Sequence, residues 1–446
     1  MDNKSFYKKV FALVIPMALQ NLINVGVTTS DVLMLGSVGE KVLSASSLAG
    51  QIYFIMTLIF FGLTSGASVL TAQYWGKQDR DTIERILGFG LKISMIVGIT
   101  FTTVTFLIPG TLMKIFSSDG IVIAEGVKYL RIVCFSYVLT SITMIYLNSM
   151  RSIERVAIST LVYLISFVVN VVINAILIFG LLGFPKLGIQ GAAIGTLAAR
   201  LSEVMIVMIY NFRFNKIIKI RWKYIFKTPK WLVKDFIAFS MPVVLNELMW
   251  GLGTSANQAI LGHLGSAVSA ASSVAQVTRQ LAMVVCFGIA NATAIMIGKA
   301  IGEGNTALAE IYGKKFRNLS ILMGLAGSAV VLCVRPVAMA VMSVSAESKA
   351  YMSVMLFVMA YFVIAQSYNT TLVVGIFRAG GDTKFGLYLD VSTMWFGSIL
   401  LGFAAAYVLK LSLTWVYVLL LSDEIIKIPI TTWRYNKKKW LKNITR

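Results

Sequence analysis

The sequence predicts an all-α polytopic membrane protein with twelve transmembrane helices in two parallel six-helix lobes. Three observations support this fold class. The 446 residues are 57% hydrophobic and only 13% charged, roughly half the charged fraction of soluble domains. Apolar runs long enough to cross a bilayer as helices recur along the whole chain. The segment Pro16–Gly76 is also repeated, without a gap, at Pro242–Gly302.

The apolar runs define twelve predicted spans. These cover residues 10–35, 44–72, 88–110, 127–149, 157–180, 188–212, 236–260, 268–297, 315–335, 350–374, 384–407 and 412–433. The alternating ten-residue segments that are typical of membrane barrels are missing, so the spans are predicted to be helical.

A basic segment divides the chain into two lobes. The predicted domains are an N-lobe at 1–212, a cytoplasmic linker at 213–235, a C-lobe at 236–434 and a basic cytoplasmic tail at 435–446. Because each lobe has an even number of spans, both lobes enter the membrane from the same side and the repeats are parallel. Duplicated membrane folds are mostly transporters, with the substrate site between the repeats.

The Lys and Arg residues that give the chain its net charge of +21 are concentrated in the loops. Lys and Arg cluster at the N-terminus, in alternate loops, in the 213–235 segment and in the tail, whereas the intervening loops carry about one cation each. This positive-inside pattern predicts a multi-pass protein of the cell (inner or plasma) membrane with cytoplasmic N- and C-termini. The basic charge therefore indicates topology, and no nucleic acid partner is expected. The expected surroundings are membrane lipid, and the expected state is a monomer.

Polar side chains inside the spans are the strongest functional signal, because they are costly in hydrocarbon. Two stripes occupy one face each of repeat-related helices. The first is Gln20, Asn24, Thr28 and Asp31, and the second, in the seventh span, is Asn246, Trp250, Thr254 and Asn257. Matched stripes predict the walls of a shared central cavity. The alternative is hydrogen bonding between packed helices.

Asp31 is the leading candidate for ion coupling, since its repeat counterpart Asn257 is neutral. A lone carboxylate within the membrane either is protonated or holds a cation. Asn170 and Asn174 share one face of the fifth span, and Thr196 lies in the sixth. Their oxygens would suit a Na⁺ ion or a proton relay. The alternative is that Asp31 caps an extracellular helix end.

The second lobe carries Glu247 and Arg279 near the predicted mid-depth of its first two helices. They are expected to form a buried ion pair, or to compete, with a cationic substrate or a proton displacing Arg279 from Glu247. Local pairs are expected between Arg200 and Glu203 and between Glu424 and Lys427. For Asp390, a cavity role and a structural role both remain open.

Enzyme signatures are missing: the sequence has no P-loop, HExxH or GxSxG motif. The glycine-rich segment GKAIGEGN at 298–305 aligns with the loop after the second span. It is therefore predicted to be a helix-end turn and not a phosphate site. Neither catalysis nor a cofactor is expected, apart from a coupling ion.

Along nearly its whole length the chain resembles the multidrug and toxic-compound extrusion (MATE) family. The most specific segment is NVVINAILIFGLLGFPKLGIQGAAIGT at 170–196, which is similar to the helix 5–6 signature of that family. FRAGGDTKF at 377–385 and NELMWGLG at 246–253 support it. The resemblance implies a V-shaped MATE/MOP-type fold that alternates between inward-open and outward-open forms. It also implies that a sodium or proton gradient drives the export of organic cations and drugs.

By this resemblance Asp31 matches the carboxylate of the ion site, surrounded by Asn170, Asn174 and Thr196. Pro16 matches the kinking proline of helix 1, and Pro242 is its counterpart in the repeat. Some members have an acid at the position of Asn174, and others have a carboxylate in helix 10, where 361–371 has none. The coupling ion, H⁺ or Na⁺, is therefore open, with the proton preferred because it needs a single titratable group.

The sequence therefore predicts a cation-coupled antiporter for cationic or amphiphilic toxic compounds, and it does not identify the individual substrate. Its predicted substrate cavity contains Gln20, Asn24, Thr28, Glu247, Trp250, Asn257, Arg279 and Tyr361. One alternative is a lipid-linked oligosaccharide flippase of the same superfamily, which is expected to have extra C-terminal spans and a cationic cavity. A non-transporting membrane receptor is the other, and it gives no reason for matched polar stripes.

Overall fold

In the computed structural model, residues 3–341 and 345–446 are described, and these ranges contain helices and no strands. The first half comprises α1 (Asn3–Val38), α2 (Glu40–Gly76), α3 (Arg80–Leu107), α4 (Pro109–Phe116), α5 (Gly120–Val133), α6 (Phe135–Ser152), α7 (Val156–Phe179), α8 (Ile189–Ile209) and α9 (Trp222–Phe226). The second comprises α10 (Lys230–His263), α11 (Ser266–Gly302), α12 (Thr306–Val341), α13 (Ala346–Thr370), α14 (Thr383–Val391), α15 (Leu400–Phe403), α16 (Leu413–Leu420) and α17 (Asp423–Asn436). The described residues contain four π-helical segments: Tyr210–Phe214 extends α8, Thr371–Phe377 extends α13, and Ser392–Ile399 and Ala404–Val408 flank α15.

The helices follow the predicted spans. Among the described residues, ten helices are long and apolar enough to cross a membrane, and the pair α5–α6, bent by 50°, is an eleventh candidate. The twelfth predicted segment, 412–433, is occupied by α16 and α17, which are separated at 421–422. The all-α polytopic fold is thus confirmed. The glycine-rich segment at 298–305 is the end of α11 and a turn, as expected, with Gly304 at a φ of 75°.

Contacts divide the chain into two compact units. The N-unit is Leu19–Thr71 with Asp79–Ala238, and the C-unit is the chain up to Ala18, Ala72–Gln78 and everything from Phe239 onward. These units differ from the predicted lobes at the ends of α1, α2 and α10, because one end of each of these helices packs in the other unit. The lobe boundaries at 212 and 236 stay a prediction.

Prolines lie close to two of these changes of unit. Helix α1 passes from the C-unit to the N-unit after Ala18, just beyond Pro16. Helix α10 passes from the N-unit to the C-unit after Ala238, whose carbonyl would accept from residue 242 in a regular helix. Pro242 has no N–H to donate, so the helix lacks a backbone hydrogen bond at that point.

Small residues at repeat-equivalent positions join α2 to α11 inside the C-unit. A Cβ added to Gly76 would lie 2.1 Å from the Lys299 carbonyl oxygen, and one added to Gly302 would lie 1.9 Å from that of Gln73. One turn earlier, a Cβ on Gly298 would lie 2.9 Å from the Ala72 Cβ. Ala72 corresponds to Gly298 in the repeat, and Gly76 to Gly302, so two small-xxx-small motifs pair with each other.

The tail after α17 packs back onto the C-unit, and we call residues 437–446 the C-terminal strap. Trp440 is 1% exposed, and its ring stacks on Tyr435 with centroids 5.7 Å apart. The Gln73 side chain donates to the Lys442 carbonyl (3.1 Å) and accepts from the Ile444 N–H (2.9 Å). The strap therefore fixes the end of α2 within the C-unit. The Trp440 ring is buried in protein and therefore does not anchor the chain at the membrane interface.

Candidate functional site

A cavity of about 620 Å³ lies within the N-unit. It is bounded by α1, α2, α5, α6, α7 and α8, all of which contribute polar or aromatic side chains. Asn24, Thr28 and Asp31 of the predicted polar stripe line it from α1, whereas the shared cavity between the two lobes stays a prediction. Four tyrosines also contribute: Tyr53, Tyr129, Tyr137 and Tyr163. A mixed polar and aromatic lining of this size suits a small organic molecule.

Asp31 is the acidic end of a short hydrogen-bonded chain in this cavity. Its Oδ1 accepts from Asn174 Nδ2 at 2.6 Å, and the same amide nitrogen lies 3.3 Å from Asn170 Oδ1. Asn170 and Asn174 are 1% and 0% exposed. Thr196 also lines the cavity and contacts the Tyr129 hydroxyl. The structure thus gathers the four residues that the sequence predicted for the ion site.

Gly195 makes the position of Asn174 possible, and sequence reasoning missed it. A Cβ on Gly195 would lie 1.9 Å from Asn174 Oδ1 and 2.9 Å from its Cγ. Such distances are far below van der Waals contact, so the Asn174 amide can keep this position only if residue 195 of α8 is glycine. Gly195 immediately precedes Thr196 within the segment used for the family resemblance, and the signal was therefore present in the sequence.

The orientation of Asn174 bears on the choice of ion. An amide N–H, and not an oxygen, faces the Asp31 carboxylate. Asn174 Oδ1 is buried without a hydrogen-bond partner among the described residues. Sodium needs several converging oxygens, which these residues would offer only after the amide turned over. A proton on Asp31 needs no such rearrangement.

Arg200 and Glu203 add a charged pair to the cavity wall. Arg200 lies 2.5 Å from Glu203 Oε1, which also accepts from Ser166 Oγ at 2.6 Å. Thr143 donates to the other carboxylate oxygen at 3.3 Å. The predicted local pair is confirmed. Glu203 is fully buried and its charge is matched, whereas Arg200 places a guanidinium at the cavity surface.

Gln20 follows the alternative interpretation of the stripe. Its side chain is 2% exposed, donates to Thr160 Oγ1 at 2.9 Å, and is not among the cavity-lining groups. A glutamine bonded between α1 and α7 is a packing contact. Gln20 therefore does not line the N-unit cavity, and its substrate role stays a prediction.

In the C-unit, the predicted pairing of Glu247 with Arg279 is wrong. Glu247 Oε1 pairs with Arg378 at 2.9 Å, and both side chains are largely buried. Arg279 instead donates to Gln276 (2.9 Å) and to Gln366 (3.4 Å). Similar depth in the membrane does not determine which helices meet, so it does not identify the partner of Glu247. Arg378 directly follows the π-helical segment Thr371–Phe377, which changes the helical register before it.

The other predicted residues of the second lobe do not line the N-unit cavity. Trp250 and Asn257 lie in α10, partly buried, and Asn257 Oδ1 is buried without a partner among the described residues. Tyr361 is 63% exposed and contacts Phe357 edge-to-face. Their substrate role stays a prediction.

Asp390 and Glu424 both approach Lys427. The expected Glu424–Lys427 pair is confirmed at 3.3 Å. Asp390, left open by the sequence, lies 3.0 Å from Lys427 and accepts from Asn246 at 2.8 Å. Both carboxylates are therefore held by packed side chains.

Comparison with known proteins gives a consistent family. A family model described as MatE matches residues 16–176 and 242–408, which contain the two copies of the repeat. The probable multidrug resistance protein NorM of Rhizobium meliloti (strain 1021) is 25% identical over 292 residues, which are 65% of this chain and 62% of that protein. The uncharacterized transporter YisQ of Bacillus subtilis (strain 168) is 21% identical over 97% of this chain and 94% of its own length.

Solved structures share the fold. A MATE protein crystallised in complex with MaL6 has a TM-score of 0.89 and 18% identity, and covers 97% of this chain and 96% of its own. A MOP superfamily transporter from Pyrococcus furiosus has a TM-score of 0.88 and 19% identity over the same shares. The predicted MATE/MOP-type fold is confirmed.

Proposed function

The chain belongs to the MatE family of multidrug efflux transporters, and we propose that it is a cation-coupled antiporter that works by alternating access. Its proposed substrates are organic cationic or amphiphilic toxic compounds and drugs. Family membership and the apolar helices make it a membrane protein. We place it in the cell membrane as a monomer with both termini in the cytoplasm, following its loop charges.

The observation that carries the proposal is the Asp31 network in the N-unit cavity. A carboxylate in a cavity within the membrane can bind a cation from the water on one side. It can release that cation when the cavity opens to the water on the other side. Asn174 stabilises the ionised form by donating to it at 2.6 Å. Protonation of Asp31 weakens this hydrogen bond, because the neutral carboxyl is a poorer acceptor. Ion occupancy is thereby linked to the position of α7.

Alternating access requires hinges, and we place them at Pro16 and Pro242. Both prolines lie within a helix, close to the residue at which that helix changes from one compact unit to the other. Each removes one backbone hydrogen bond, which lowers the resistance of the helix to bending. In the proposed cycle, a change of charge at Asp31 bends α1 near Pro16 and releases substrate outward.

The test is Asp31→Asn, with Glu40→Gln as the matched control. Glu40 is an exposed carboxylate at the start of α2, so its neutralisation changes net charge equally without entering the cavity. Asp31→Asn should abolish drug resistance in cells and proton-driven efflux from proteoliposomes, whereas Glu40→Gln should retain both. Undiminished resistance and efflux with Asp31→Asn would overturn the mechanism.

A further inference from the structure

Lys427 in the C-unit is surrounded by three carboxylates. Its ammonium nitrogen lies 3.0 Å from Asp390, 3.0 Å from Asp423 and 3.3 Å from Glu424. These three contacts match the three donors that an ammonium has. Lys427 is 4% exposed, and the Asp423 and Glu424 side chains are also largely buried. We call these four residues the Lys427 cluster.

The charges around the cluster do not balance. From α10 and the segment after α13, Glu247 and Arg378 face Asp390 as a neutral pair. From α11, Arg279 lies within electrostatic range of Asp423 and Glu424. From α16, Tyr417 lies within electrostatic range of Arg279. Four carboxylates therefore meet three cations, which leaves one uncompensated negative charge in a buried environment.

A buried acceptor beside Asp390 is also unused. Asn246 is 5% exposed, and its Nδ2 donates to Asp390 Oδ2 at 2.8 Å. Its Oδ1 is buried without a hydrogen-bond partner among the described residues. An ionised Asp390 has no proton to donate to this oxygen, whereas a protonated Asp390 has one. Glu424 differs from Asp390 in this respect, because its Oε2 already accepts a hydrogen bond from Asn369 at 2.7 Å.

We propose that the Lys427 cluster binds one proton, shared among Asp390, Asp423 and Glu424, as a second proton site in addition to the proposed site at Asp31. A hydronium ion from the solvent gives up one O–H bond and leaves as water, while a carboxyl O–H bond forms and the excess charge is neutralised. A metal ion is a poorer occupant, because the ammonium already fills the centre of the carboxylates. Asp390 is the most exposed of the three, with 22% of its side chain accessible, and is the point of proton entry.

The role of this proton in transport rests on the proposed antiport function, but its binding does not. The test therefore reads binding directly, by pH-dependent infrared difference spectroscopy of the full-length protein in nanodiscs. Protonated carboxyl groups absorb at a carbonyl frequency that carboxylates do not share. In Asp31→Asn protein the signal from Asp31 is removed. Above about pH 6, where exposed carboxyl groups are ionised, one protonated carboxyl should remain, and it should be in the cluster.

In the Asp31→Asn background, substitution of a cluster carboxylate and substitution of Lys427 should change the infrared carboxyl signal in opposite directions. Asp390→Asn, Asp423→Asn or Glu424→Gln each remove the excess negative charge and should abolish the remaining carboxyl signal. Lys427→Met adds to the excess and should raise the signal by one further carboxyl. The matched control is Asp382→Asn, since Asp382 is buried but already paired with Arg434 at 2.8 Å. That control should leave the signal unchanged.

The outcomes separate the two proposals. A carboxyl signal that persists in Asp31→Asn protein and vanishes in the folded cluster variants supports the second site, even if transport fails. Absence of that signal at every pH at which the protein remains folded would overturn it, even if Asp31 proves to couple transport. A signal unaffected by all three carboxylate substitutions would overturn it equally. Because three separate substitutions are used, misfolding of one variant does not remove the test.

Discussion

Asp31 depends on two neighbours that are not themselves acidic. Asn174 supplies the amide donor at 2.6 Å, and Gly195 leaves the space that this amide occupies. The geometry of the proposed coupling site is therefore set by packing between α7 and α8 as much as by the carboxylate. Substitution of Gly195 tests this dependence without touching any polar group.

Gly195→Ala should impair coupling while the fold is kept. The new methyl would lie 1.9 Å from Asn174 Oδ1, so the amide must move away from Asp31. Overpacking of this kind costs about 1–3 kcal/mol, which lowers stability without preventing folding. The measurement is proton-driven efflux from proteoliposomes, with thermal unfolding in detergent as a check.

Gly50→Ala is the control for that substitution. Gly50 also lines the cavity, in α2, but no atom lies within 4 Å of a Cβ added there. It should behave as the unmodified protein. Equal efflux by both alanine variants and the unmodified chain would show that Gly195 does not position the site.

Individual residues were predicted unevenly. Asp31, Asn170, Asn174 and Thr196 were found because the stripe, the asparagine spacing and the family segment all pointed to them. Glu247 was given the wrong partner, because Arg378 is more than a hundred positions away and reaches it only through tertiary packing. Periodicity reveals which face a side chain occupies, but not which distant helix meets that face.

At the scale of elements, α2 and α11 cross at small residues that occupy equivalent positions in the two copies of the repeat. Each helix presents the small-xxx-small motif that its counterpart needs for close approach. The sequence repeat aligned Gly76 with Gly302, but the contact between them required the structure, since alignment does not imply proximity.

Gly302→Ala should destabilise this crossing. Its methyl would lie 1.9 Å from the Gln73 carbonyl oxygen, and backbone cannot rotate aside as a side chain can. We expect a loss of about 1–3 kcal/mol in the free energy of unfolding, measured by thermal unfolding in detergent. Gly262→Ala is the control, since a Cβ at Gly262 has no neighbour within 4 Å. Equal stability of the two variants would contradict the close crossing.

The C-terminal strap was missed for a compositional reason. A run rich in lysine after the last span resembles a solvated tail, and its single buried aromatic, Trp440, carried too little signal. Asn443 Nδ2 also donates to the Ile301 carbonyl at 3.1 Å, close to the α2–α11 crossing. The strap and the glycine motifs therefore hold one region of the C-unit together.

Trp440→Ala should loosen that region. Removal of a fully buried tryptophan costs about 3–5 kcal/mol in well-packed cores. Trp433→Ala is the control, because Trp433 is 51% exposed. Limited proteolysis after α17 should proceed faster in Trp440→Ala than in the control. Cleavage at the same rate in both would mean that the strap does not depend on Trp440.

At the scale of the whole molecule, the fold class, the repeat and the spans could be predicted from apolar run lengths and self-similarity, because the bilayer restricts spanning segments to a narrow range of forms. The division into units could not be predicted in detail. It depends on which ends of α1, α2 and α10 pack with the other half of the chain. Hydropathy carries no information about that packing.

The central claim is that a cation gradient drives export through Asp31. The most direct test is drug efflux from proteoliposomes under a proton gradient or a sodium gradient, each imposed alone. We predict that the proton gradient drives efflux by the unmodified chain and not by Asp31→Asn, and that a sodium gradient drives neither. Drive by sodium alone would contradict the proton assignment. The central claim would be contradicted if efflux depended on neither gradient. It would also be contradicted if Asp31→Asn protein exported the drug as well as the unmodified protein does.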